Sequence, residues 1–223
     1  MDALSNATKI RRGGINPLCA GSAPNVLPET IDSQGGVSVR YAPDPNKHWF
    51  VLRATHNRAY QAYLHLLDDG IEAYLPMKII LRTVQGKKVK STEPLLPSLL
   101  FVYASKERLD HYVMKNPVLP YLNYYYDHFK KLNNGKNPPL TVGYDDMINF
   151  INLTNIDNYH IRLVKPDQCR FKGGDEVRII SGQFKGIRGK VARVAGQQRV
   201  VVTIKDICLV ATAYIPTDFI EHI

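Results

Sequence analysis

Apolar and polar positions divide the chain into two regions of different periodicity. In the first, Leu99-Leu100-Phe101-Val102 is a continuous apolar run too short for an ordinary helix, ended by Ala104-Ser105. Pro94 and Pro97 precede it, and because proline lacks an N–H the ladder is expected to start near Ser98. This predicts a central strand. Upstream, Lys47 to Arg53 carries the aromatic and branched residues of a first strand. A helix should follow, capped by Thr55 or Asn57, with Tyr60, Tyr63, Leu64 and Leu67 on one face and Gly70 at its end. Ile71, Ala73 and Leu75 alternate with Glu72 and Tyr74, the pattern of a half-buried strand that Lys78 to Leu81 extends. Arg82 to Lys90 then reads as a basic hairpin tip or loop. After the central strand, Ser105 is placed to cap a helix turning Leu109, Tyr112 and Val113 inward. Val118 to Tyr126 is extended, and Asp127 to Pro139 has the Asn-Gly and Pro-Pro signals of a surface loop. A last helix from about Tyr144 would align Met147, Ile148 and Ile151. Strands and helices alternate here in a unit of α/β character.

The second region consists of short strands punctuated by glycine: Glu176 to Ile180, Lys190 to Val194, Arg199 to Ile204, Ala211 to Ile215 and a short final piece. That grammar predicts a small β-barrel. Domain boundaries follow: an unstructured extension over 1–46, the α/β unit over 47–152, a linker over 153–170 and the barrel over 171–223. The whole is α+β.

Charge adds a constraint. The 223 residues carry a net charge of +9, and the excess lies in the folded parts, with fourteen basic against nine acidic residues over 47–152. This implies either anionic partners or nothing more than a soluble basic surface. Three scattered cysteines, Cys19, Cys169 and Cys208, form no CxxC pair or disulfide framework, which fits a reduced, cytoplasmic setting. Arg11 and Arg12 are followed by no apolar h-region, so neither a leader nor a membrane span is expected.

Catalytic patterns are missing. Gly182, Gly186 and Gly189 match neither GxGxxG nor the P-loop, since Val191 stands where the latter needs Ser or Thr. The seven histidines form no HxxxH or HExxH pair, Asp68-Asp69 and Asp145-Asp146 are adjacent pairs that diverge on a helix, and no GxSxG occurs. No enzyme, metal or cofactor is expected.

Val177 to Val191, containing Gly182, Phe184, Lys185, Gly186, Arg188 and Gly189, resembles a KOW motif, the mark of an SH3-like barrel. Trp49-Phe50-Val51, the amphipathic helix, Tyr74-Leu75-Pro76, the basic loop and Pro94 to Val102 resemble, in that order, the N-terminal (NGN) domain of NusG-type transcription factors. That family has aromatic residues where this chain has Leu95 or Leu96 and Leu99. The loop before Tyr144 and the ending from Arg199 are most similar to the specialised UpxY antiterminators of capsular polysaccharide operons. The resemblance implies an NGN domain with an antiparallel sheet and flanking helices, linked to a KOW barrel. It also implies a monomeric elongation or antitermination factor that binds the RNA polymerase clamp helices and suppresses pausing. Carried onto this chain, the polymerase contact falls on Trp49, Phe50, Tyr74, Leu96 and Leu99. Arg82, Lys87, Lys88 and Lys90 are assigned to upstream or non-template DNA, with nascent RNA as a further partner. The barrel's own partner is open, a ribosomal protein among the candidates. Some family members store the barrel region as a helical hairpin, but the β-branched run from Arg199 to Ile204 favours a permanent β form. A KOW-containing RNA-binding component of the translation machinery is the alternative reading.

Overall fold

The computed structural model describes residues 41–114, 116–156 and 161–223; the expectation for residues 1–40 lies outside them. In chain order the first region contains β1 (His48–Ala54), α1 (Ala59–Asp68), β2 (Glu72–Tyr74), β3 (Met77–Val84), β4 (Lys87–Pro94), β5 (Leu99–Ala104), α2 (Lys106–Met114), β6 (Leu122–Tyr124), β7 (Thr141–Val142) and α3 (Tyr144–Thr154). The second contains β8 (Arg162–Val164), β9 (Cys169–Ile179), β10 (Arg188–Val194), β11 (Gln197–Ile204), β12 (Cys208–Ala211) and β13 (Ile220–His222).

The first sheet runs β2-β5-β1-β6, with β7 also paired to β1. β5 is therefore interior, pairing antiparallel with β1 from Leu99 opposite Arg53 to Ala104 opposite His48. Side chains alternate across this pair. Trp49, Val51, Phe101 and Tyr103 enter one core cluster, whereas Phe50, Leu52, Leu100 and Val102 enter another. Both faces are covered, which is why Leu99 to Val102 shows no polar alternation. The same holds for β2: Ala73 packs with the second cluster and Tyr74 with the first, so the strand read as half-buried is buried on both sides.

Helices α1 and α2 cover the second cluster, and the face that α1 buries is Ala59, Ala62 and Leu66. Tyr60, Tyr63 and Leu67 are only partly buried and Leu64 is exposed. The alanines, weak signals in a pattern read from large side chains, make the contact with the sheet. Neither Thr55 nor Asn57 caps α1; His56 and Asn57 lie at φ 58° and 55°, and the helix starts after Arg58 without a side-chain cap bond. Ser105 does accept a bond from the Arg108 N–H, at 3.4 Å.

β4 includes Glu93 and Pro94, so these residues close a hairpin and do not lead into β5. Order begins before residue 47. Tyr41 is buried, its hydroxyl donating to the Ala73 carbonyl at 3.1 Å and its own carbonyl accepting from the Tyr144 hydroxyl at 2.5 Å.

The second sheet is antiparallel throughout in the order β13-β9-β10-β11-β12-β8. Residues 162–164, assigned by pattern to the linker, pair with β12, Arg162 lying opposite Ala211. Three residues at a sheet edge are too few to generate a periodic signal. The run Arg199 to Ile204 lies in strand β11.

Helix α3 joins the two regions. From Met147 onward none of its residues is exposed. The core cluster that holds Met147, Phe150 and Leu153 continues without a break from Trp49 and Phe101 to Val177, Val200, Val202 and Ile215. Phe150 lies 5.5 Å from Phe101, ring centre to ring centre. Asn149 grips the backbone of Arg188 twice, accepting from its N–H at 2.9 Å and donating to its carbonyl at 2.7 Å.

The β10–β11 contact depends on a missing side chain. A Cβ at Gly189 would sit 2.5 Å from the Val201 carbonyl oxygen and 2.9 Å from Val200 Cγ1. Gly189→Ala is expected to destabilise the protein by about 1–3 kcal/mol through overpacking, read as a lowered melting temperature by circular dichroism.

Candidate functional site

The most prominent surface feature is the β3–β4 hairpin, a two-stranded sheet separate from the other two. Eight paired positions run from Met77 opposite Pro94 to Val84 opposite Lys87, a reach of roughly 25 Å. Gln85 and Gly86 close it at φ 50° and 77°, the paired positive values of a type I′ turn. What sequence read as a tip or loop from Arg82 is thus regular strand as far as Val84. Beyond Leu81 both strands are exposed almost throughout, and Leu81, Val84 and Val89 leave large apolar surfaces in solvent.

Charge is graded along this arm. At its base Glu93 meets Lys78 Nζ at 2.9 Å and Arg82 Nη2 at 3.2 Å. The Lys78 hydrogen bond, assisted by Arg82, holds the Glu93 carboxyl below the usual carboxylate range. Arg82 is therefore already engaged by an acid. Lys87 and Lys88 form no ion pair among the described residues. The register places Lys88 with Thr83, and Lys90 with Leu81, on one face, and Lys87 with Val84 on the other. Each face thus presents ammonium groups beside aliphatic ones. Glu93 escaped the sequence reading because it lies eleven residues from Arg82; the hairpin register is the signal that brings them together.

The five apolar candidates are not assembled into one patch. Trp49 and Phe50, adjacent on β1, point to opposite faces and are 1% and 4% exposed. Trp49 stacks on Tyr103 at 5.1 Å and meets Tyr41 edge-on at 5.0 Å; both candidates are core residues here. Tyr74, Leu96 and Leu99 share the α3-side cluster, and of these only Leu99 keeps substantial exposure. Leu99 is tied to Leu96 by a backbone bond of 3.2 Å, and Leu95 to Pro76 by one of 2.7 Å, so this rim adjoins the base of the hairpin.

Tyr74 links the rim to α3. Its hydroxyl lies 2.6 Å from Thr154 Oγ1 and donates toward Asn155 Oδ1 at 3.0 Å. Burial raises its pKa well above the ordinary phenol value. Tyr124, beneath α2, is likewise raised by burial and by Asp110, which accepts its hydroxyl at 2.7 Å.

Gly182 and Gly186 sit in the loop between β9 and β10, and Gly189 lies in β10 itself. Gly182 and Gly186 have φ of 79° and 92°, which only glycine adopts readily. Bonds from Lys185 N to Gly182 O and from Gly186 N to Ile179 O close the loop, and Phe184 is buried inside it. Lys185 and Arg188 are exposed. Asn149, which holds Arg188 from α3, went unnoticed because its partner lies 39 residues away. Among the described residues no three His, Cys, Asp or Glu side chains are grouped as metal ligands, and no helix is long and apolar enough to cross a membrane.

The first region is thus a helix-covered antiparallel sheet of α/β character from which a cationic hairpin projects. Residues 47–119, from just before β1 to just beyond α2, match the family model described as "Transcription termination factor nusG". The likeness to that family is confined to this segment, about a third of the chain. No curated protein matches the chain.

Tyr74→Phe is expected to lower stability by about 1–2 kcal/mol at neutral pH, because Thr154 and Asn155 lose a partner. A phenol whose pKa is raised on folding contributes stability in full below its unfolded value of about 10, lost as pH rises beyond it. Urea unfolding between pH 8 and 11 should therefore show a shallower alkaline decline in Tyr74→Phe than in the parent, the remainder coming from Tyr124.

Proposed function

We propose that the chain is a NusG-type elongation or antitermination factor whose 47–152 unit docks on the clamp helices of RNA polymerase and suppresses pausing or termination. Its C-terminal sheet is, in this reading, a KOW SH3-like barrel that engages a separate partner. The observation that carries the proposal is the position of the hairpin. It projects from within the residues that match the family, with Lys87 and Lys88 free of carboxylates and the Leu96–Leu99 rim at its base. Docking through the rim would hold the hairpin beside upstream or non-template DNA. The factor works without catalysis, in the cytoplasm, and as a UpxY-like regulator it serves particular operons such as those for polysaccharide synthesis.

The core positions of Trp49 and Phe50 leave Leu99 as the exposed member of the polymerase contact, with Leu96 and Tyr74 buried in the cluster it packs against. A polymerase pull-down is expected to succeed with the full chain and to fail with Leu96→Asp/Leu99→Asp, folding being checked by circular dichroism. Retention of polymerase by a folded variant would remove this interface, and enrichment of ribosomes without polymerase would favour a role in translation. In assembled elongation complexes, Lys87→Ala/Lys88→Ala should reduce the log–log salt slope of binding by about 1.4 if both lysines neutralise single-strand phosphates.

A further inference from the structure

A second cationic surface lies on the C-terminal sheet, away from the KOW-like loop. A cleft of about 650 Å³ opens where β8, the turn Pro166–Gln168 and the β10–β11 hairpin meet. Arg162 from β8, Arg170 from β9 and Arg193 from β10 line it, with Asp167 the sole carboxylate in its wall. None of the three arginines forms an ion pair or a side-chain hydrogen bond with another described residue. Arg170 and Arg193 are direct register partners, two like charges facing each other across an antiparallel pair. Such a pairing is destabilising in the protein alone. Arg162 adds a third charge close enough to weigh on buried Arg199, whose pKa is lowered first by desolvation and then by Arg162.

An opposed pair of arginines joined by a third, across three strands and nearly free of acid, is relieved by an anion in the cleft. We propose that this cleft binds the phosphodiester backbone of a nucleic acid, independently of base sequence. Guanidinium groups match phosphate oxygens in bidentate geometry. The cleft wall holds no aromatic residue to stack a base, so the bases stay outside and charge alone is read. Its volume exceeds that of one inorganic phosphate, which suits a chain of phosphates. The choice of nucleic acid over an acidic protein rests on the functional reading above, and the site adds a contact far along the sequence from the hairpin.

The test is a fluorescence anisotropy titration of the full chain against mixed-sequence 12-nucleotide RNA and single-stranded DNA at 50–200 mM salt. No polymerase is present, so the result bears on this cleft whatever becomes of the docking interface. Arg162→Ala/Arg170→Ala/Arg193→Ala is expected to reduce the log–log salt slope by about 2, so that the parent loses about 20-fold more affinity than the variant across that range. The Arg→Lys triple variant should retain the slope, and Lys87→Ala/Lys88→Ala should leave the arginine contribution in place. An unchanged slope in a triple Ala variant with the parent's circular dichroism would overturn the proposal, as would equal competition by a 12-residue polyglutamate. A second readout needs no ligand. Arg193→Gln should raise the melting temperature by about 1–3 °C by relieving the Arg170 repulsion, whereas a fall would mean that the protein itself satisfies the pair and would refute the site.

Discussion

The structure depends on helix α3 being buried or half-buried at every position after its first turn. Met147, Phe150 and Ile151 close the open face of the first sheet, and Leu153 is also buried in a cluster that extends into the second sheet. A helix with apolar residues on more than one face is stable only when it is packed on both sides. Its exposed first turn, with Asp145 and Asp146, is the end where the helix dipole favours negative charge. The two bonds between Asn149 and the Arg188 backbone add direction to a contact that apolar packing alone would leave free to slide. The C-terminal sheet is consequently packed against the first region through a shared core, and the connection between them is much shorter than composition implied.

Coverage of both sheet faces decides which residues are left for recognition. With α1 and α2 on one side and α3 on the other, the aromatic residues of β1 and β5 are consumed by packing: Trp49 by Tyr41 and Tyr103, Phe50 by Tyr124, Phe101 by Phe150. Of the five apolar contact candidates, Leu99 alone keeps substantial exposure, and the hairpin lies beside it. The hairpin has no sheet or helix over most of its length, and its aliphatic and ammonium groups alternate on both faces. That combination suits a surface that is partly apolar and strongly anionic, as a protein–nucleic acid complex is.

The positive charge of the chain is accordingly not diffuse. At the hairpin tip and in the Arg162–Arg170–Arg193 cleft cations gather without ion pairs, whereas Lys47 meets Glu72 and Lys106 meets Asp110. Local absence of a counter-charge, more than net charge, distinguishes a binding surface from a solvated one.

Sequence by itself determined the type of several elements in both regions, though not the β3–β4 hairpin strands or β8. The run Leu99 to Val102, the branched residues of Arg199 to Ile204 and the glycines around Phe184 each favour one backbone conformation through local sterics, which needs no tertiary partner. It also marked Lys87 and Lys88, because no acid lies between Arg82 and Lys90 in the chain. Tertiary structure alone decided which side of each element is buried, since that depends on what lies opposite. α1 turned Ala59, Ala62 and Leu66 inward because a sheet approaches them closely, Tyr74 faces α3 because that helix covers the second side, and Arg82 is paired because strand register brings Glu93 to it. The opposition of Arg170 and Arg193 is of the same kind. Twenty-three positions separate them along the chain, and only the pairing of β9 with β10 sets their charges face to face.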